Sequence, residues 1–315
     1  GCGDCQGSGA CGGNLGCDVG CDGRGGSDVF GLFANTRPQW NTSASADALF
    51  LSRDSNDLRV PIQIGGTTSN PAPLSHGMTP GLRASVALNL TDDAIVQFVY
   101  MGIHQWDADS SLQDVLPGNN RIINSAQQYN ARLHDLQINA VHHPFGYDSS
   151  LLWGVRASRQ RDQYDVIANG TFAAGTPLAL ASDAITGRTE NDLIGLQIGG
   201  TQTWLCGPIR FFGSIKAGVL HNETSQRGTT YAGAVDLSGN PATLAQFQVD
   251  DEEVSFVGDF ELSLHYTLFR NASVRLGYQG LIYSDIIQVA DQNGSPAAPG
   301  TLSYNGIFGG LELRY

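Results

Sequence analysis

One property constrains this chain more than any other: apolar and polar residues alternate with period two, in stretch after stretch. The cleanest runs from Glu253 to Thr267. There Val254, Phe256, Gly258, Phe260, Leu262, Leu264 and Tyr266 share one face, and Glu253, Ser255, Asp259, Glu261, Ser263 and His265 the other. Successive side chains of a strand point to opposite faces, so this pattern makes a two-faced strand, whereas a helix would scatter its apolar residues around the circumference. Similar segments lie near 43–53, 81–90, 94–104, 129–141, 150–165, 191–202, 209–221, 273–285 and 304–315, which makes ten.

The connections sharpen the reading. Long ones (54–80, 105–128, 166–190, 222–252, 286–303) alternate without exception with short ones (91–93, 142–149, 203–208, 268–272). A transmembrane barrel requires that rhythm, with short periplasmic turns, long extracellular loops and an even strand number. An open edge in lipid would leave backbone groups unpaired, so the ten strands must close on themselves. The expectation is an all-β, ten-stranded antiparallel transmembrane β-barrel over 43–315, with both termini periplasmic. Aromatics near strand ends (Trp40, Phe50, Tyr100, Trp106, Tyr129, Trp153, Trp204, Phe211, Tyr266, Phe269, Tyr283, Tyr304) read as interfacial girdles. The final strand carries Ile307, Gly309, Leu311, Leu313 and Tyr315 on one face.

Composition agrees. Only 15% of residues are charged and 40 of 315 are Gly, while the net charge of −13 gives no footprint for nucleic acid. No run reaches the roughly 18 apolar residues of a membrane helix.

The polar face of the strands is mixed in sign. Candidate lumen-lining residues are Arg83, Asp135, Arg156, Arg210, Lys216, Asp259, Glu261, Arg275 and Glu312. Barrels of about eight strands are filled by side chains and wide channels appear near sixteen, so opposite charges in a ten-stranded lumen should pair and plug it. A narrow charge-lined pore is the alternative. An outer-membrane protease is a distant third. It would use His104, Asp107 and Asp109 near one rim and His221 at another strand end. His142-His143-Pro144 reads as turn polarity.

Cysteine splits the chain. Cys2, Cys5, Cys11, Cys17 and Cys21 lie in a Cys/Gly-rich segment (1–26), followed by a linker (27–42); Cys206 stands alone in a predicted periplasmic turn. The spacing fits a tetrahedral metal site or, preferred here, disulfides in an oxidising compartment. The six are the candidate disulfide cysteines, joining the tract to Cys206 or neighbouring barrels to each other. The acidic run Asp250-Asp251-Glu252 is a weak Ca²⁺ candidate; no other cofactor is expected.

Several segments resemble the outer-membrane β-barrel family abundant in planctomycete bacteria: Ser45–Leu51, Gly102–Ala108, Leu133–Asn139, Val257–Leu262, Leu276–Gln279 and Gly306–Glu312. The resemblance covers roughly 43–315, and a Cys/Gly-rich segment ahead of the barrel is also similar to that family. It implies an outer-membrane location and offers no catalytic residues. Together these readings predict a structural, non-enzymatic barrel in a multimeric envelope assembly. Its partners would be membrane lipid and copies of itself or other envelope proteins.

Overall fold

The computed structural model describes residues 42–54, 62–64, 67–69, 77–91, 93–116, 121–144, 148–172, 181–235, 241–289 and 298–315. The Cys/Gly-rich segment and the linker up to residue 41 lie outside them. Ten long strands are β1 (Thr42–Asp54), β4 (Thr79–Asn89), β5 (Ala94–Leu116), β6 (Arg121–His142), β7 (Ser149–Phe172), β8 (Ala181–Cys206), β9 (Ile209–Val235), β10 (Pro241–Phe269), β11 (Ala272–Ile287) and β12 (Pro299–Arg314). Two short strands, β2 (Ile62–Ile64) and β3 (Thr67–Ser69), pair only with each other.

The ten long strands form one closed antiparallel barrel in sequence order, β12 sealing against β1. The seam is regular: Ala46 faces Leu311 on one side and Ala84 on the other. Closure gives each of these ten strands two partners and leaves the barrel no edge. At the end carrying Thr42 and Arg314, β8 and β9 are joined by Gly207-Pro208 alone. Gly207 has φ 60°, which a two-residue hairpin of this kind needs at its first position.

The strands run further than the alternation predicts. Much of 105–128, 166–190 and 222–252, expected as loop, is ladder: Val115 pairs with Ile122, Ile167 with Ala184, and Glu223 with both Asp192 and Glu252. The reason lies in a change of solvent along each strand. Near the termini the outward face is apolar, and Leu196, Ile198, Ile215 and Leu276 are 62–70% exposed. Ile194 to Trp204 on β8 and Phe211 to Val219 on β9 cover the 9–11 residues a tilted membrane strand needs. Beyond that band the outward face turns polar (Arg161 on β7, Glu190 on β8, Arg227 on β9), while the inward face takes in large apolar side chains such as Tyr129 and Tyr164 beside buried polar ones such as Gln160, Asn191 and Asn222. The strands continue while the apolar-outside pattern ends, and a reading keyed to that pattern stops there.

The inward face of this upper tier is a core. Trp106, Tyr129, Leu133, Tyr164, Leu193, Leu281, Leu302 and Tyr304 are at most 2% exposed and belong to one cluster. This corrects the girdle expectation for Trp106, Tyr129, Tyr283 and Tyr304, which fill the lumen. A register shift between Ile103 and Trp106 turns the indole inward. Trp153, Trp204, Tyr266 and Phe269 do stand outward near the terminus-bearing end, where a girdle places them.

Candidate functional site: the barrel lumen

In the membrane-spanning tier, alternation aims one polar side chain inward at every second residue, and closure brings distant strands face to face. Two contacts are between neighbours in the ladder: Asp47 opposite Arg83, and Asp259 opposite Lys216. Arg83 Nε donates to this neighbour, Asp47 Oδ2, at 2.9 Å, and its Nη1 crosses the lumen to Glu261 on β10 at 2.8 Å. Arg275 donates to the other Glu261 oxygen at 2.9 Å and to Ser45 Oγ at 2.8 Å. The Phe308 ring lies under both guanidiniums, 4.1 Å from Arg83 and 5.6 Å from Arg275.

A second network centres on Arg156, which is fully buried. Its Nε donates to Asp135 at 2.6 Å and its Nη1 to Asp259 at 3.2 Å. Lys216 Nζ lies 2.9 Å from the same Asp259 oxygen and donates to Gln137 at 3.0 Å. The third network sits nearest the termini, where Glu312 receives Arg210, Arg314 and His265. All nine sequence-named lumen residues thus point inward and enter one of these networks. The three networks join six cations (Arg83, Arg156, Arg210, Lys216, Arg275, Arg314) to five carboxylates (Asp47, Asp135, Asp259, Glu261, Glu312); four of the carboxylates are shared between two cations, and Asp135 meets Arg156 with Gln137 and Tyr283 as its neutral donors. Gly310 makes room for one of them: a Cβ there would stand 2.3 Å from Asp47 Oδ1.

Above these networks one ion pair is set into the apolar core. Arg53 on β1 binds Asp162 on β7 through two hydrogen bonds of 2.7 and 2.8 Å, with the Tyr129 ring 5.2 Å from the guanidinium. Trp106 donates its indole N–H to the Leu51 carbonyl at 3.1 Å and stacks near Tyr304, centroids 5.0 Å apart. In this tier, beyond the apolar band, burial pushes the Tyr164 phenol above its ordinary range.

The far mouth is narrowed by the end of β11. Asp285 is the one non-Gly described residue with positive φ, at 57°, a conformation Asp tolerates better than most residues. With the register shift between Tyr283 and Ile286 it turns the chain inward, so that Ile286 and Ile287 are buried. Asn191 Nδ2 donates to the Ile287 carbonyl at 2.7 Å, its Oδ1 accepts from the Ile287 N–H at 3.3 Å, and Ser255 Oγ donates to the Asp285 carbonyl at 2.7 Å.

Sequence reasoning missed Arg53, Asp162 and Asn191. Parity held the signal for two of them: Arg53 shares the face of Asp47, and Asp162 that of Arg156. Nothing local marks Asn191, whose partner is a main chain on β11.

Other candidates are not brought together. Asp251 lies on the opposite face of β10 from Asp250 and Glu252, and among the described residues no three acids or histidines converge to hold a metal. His104 packs against His134 on the outer wall, centroids 5.3 Å apart; Asp107 accepts from Gln105 and Asn130; His221 lies 3.9 Å from Glu223 and from Glu252. None of these faces the lumen. His142 Nδ1 is 3.0 Å from the Asp93 carbonyl, as turn polarity predicts. Cys206 ends β8, exposed; its five expected partners lie outside the described residues.

No protein-family model matches the chain, and no curated protein does. Solved structures do. The outer membrane protease OmpT from Escherichia coli is similar over 87% of this chain and 97% of that one, at 14% identity and TM-score 0.50. The translocator domain of the autotransporter NalP from Neisseria meningitidis is similar over 90% and 91%, at 10% identity and TM-score 0.36. The anion-selective porin from Comamonas acidovorans covers 87% and 98%, at 9% and 0.18. At these identities the likeness concerns fold alone: this chain is a closed ten-stranded barrel of the bacterial outer-membrane kind.

Proposed function

We propose that this barrel is a structural component of the outer membrane, its termini periplasmic and its tall polar wall standing outside to meet partner subunits. The observation that carries the reading is a lumen filled in two layers, ion-paired networks inside the membrane band and an aromatic core above it. A barrel built to conduct keeps its axis wet; here Arg156 and Trp106 occupy it at 0% exposure. Nor does the reading include catalysis, since His104, Asp107 and Asp109 look outward from β5 and His221 outward from β9. Planar-bilayer recording of the purified protein, before and after reduction, tests it. Insertion demonstrated independently with no discrete conductance is the expected result. Discrete, charge-selective steps would replace the structural role with that of a narrow pore, and steps appearing only on reduction would make the Cys-rich segment its gate.

A further inference from the structure

The networks leave a cavity of about 300 Å³ in the membrane tier of the lumen, reaching the strand-end residues Ser43 and Thr203 and the turn residue His143. The aromatic core closes the lumen above, so the chamber is approached from the end that carries the termini. Its size is at the lower limit for small-molecule sites.

Its chemistry is one-sided. The charged groups on its wall are the cations Arg83, Arg210, Lys216 and Arg275 against the carboxylates Glu261 and Glu312. Behind the wall Asp47 pairs with Arg83 and Arg275, and Asp259 with Lys216, so the networks around the chamber carry six cations against five carboxylates in a chain whose net charge is −13. The Nε–H groups of Arg210 and Arg275 are buried and lack an acceptor. An unsatisfied buried donor costs about 1–3 kcal/mol, and a charged one more, unless something accepts from it. Amide and hydroxyl side chains (Gln137, Ser85, Ser214, Thr201) share the rest of the lining with His143, His265 and apolar residues such as Val99 and Phe212. Spare guanidinium donors, an excess of one cation over the carboxylates and hydroxyls in the wall suit an oxyanion, which accepts charge-assisted hydrogen bonds on several oxygens at once. Low-dielectric walls strengthen that attraction.

We propose that this blind chamber binds a small phosphate-bearing solute, entering from the terminus side, with Arg210, Arg275 and Lys216 as its principal contacts. The site is a ligand pocket in a barrel that does not conduct, so it is independent of the assembly role.

Inorganic phosphate titrated into the refolded full-length barrel, followed by calorimetry and phosphorus NMR, provides the test. One saturable site per chain is expected. Ser214→Asp adds a carboxylate to the wall without breaking an ion pair and should weaken binding at least tenfold, as should Arg210→Gln. Arg159→Gln, on the outer wall, should leave it unchanged. If Ser214→Asp does not fold, as judged by heat-modifiable gel mobility, Thr201→Asp takes its place. Binding that fails to saturate, or that Arg159→Gln weakens as much as the wall variants do, overturns the proposal.

Discussion

The two tiers of this barrel are one ladder with opposite exteriors and differently filled interiors. In the tier near the termini, Leu196 and Ile215 face outward while Arg156 and Asp259 are sealed in the lumen. Ten residues further along β8 the outward residue is Thr186 and the interior holds Trp106, Tyr129 and Leu193. The lower tier pairs charges because its exterior must be apolar and every polar group has to be satisfied within. The upper tier has an aromatic and aliphatic cluster interleaved with buried polar groups (Gln160, Asn191, Asn222) at its centre, and charges on its outer wall. The outward face is thus chosen by the solvent outside, and the lumen takes whatever the outside refuses.

The largest test of that contrast is Arg156→Met. It removes the cation that Asp135 and Asp259 share inside the lower lumen, leaving carboxylates buried with Lys216 alone nearby. Urea unfolding in lipid vesicles should show a loss of about 3–5 kcal/mol, the range for breaking one side of a buried pair. A loss below about 1 kcal/mol would mean that water already reaches the network.

A matched pair on the outer face of β8 probes the boundary between tiers. Leu196→Arg puts a charge against the hydrocarbon and should cost about 2–4 kcal/mol. Thr186→Arg, on the same face beyond the band, should stay within about 0.5 kcal/mol. Equal costs would place both residues in one environment and abolish the two-tier description.

A smaller loss than those of Arg156→Met and Leu196→Arg is expected of Asn191→Ala at the far mouth. Stripping the side-chain partner from both main-chain groups of Ile287 should cost about 1–3 kcal/mol. It should speed hydrogen exchange at the Ile287 amide more than elsewhere on β11. Uniform acceleration along β11 would show that the inward turn is held by packing instead.

How much of this was legible beforehand varies by residue. The lower lumen was, because Asp259 and Glu261 announce their face through Phe256 to Leu264 around them. The upper tier was not. Glu190, Glu223 and Asp250 look like loop acids when apolar neighbours are sought on the outside, yet each sits in a paired strand. Trp106 was assigned to the wrong face because a strand-end aromatic serves a girdle or a core equally well, and only the bulge before it settles which.

Alternation and the long-short rhythm of connections fixed the number of strands, their antiparallel closure and the inward set of charges, because period and edge satisfaction are local demands that lipid makes absolute. Tertiary structure alone decided who meets whom across the lumen. Arg83 with Glu261, Arg53 with Asp162 and Asn191 with Ile287 join strands that are not neighbours in the ladder. Such pairs depend on strand tilt, stagger and barrel radius, which are properties of the closed sheet and of no segment within it.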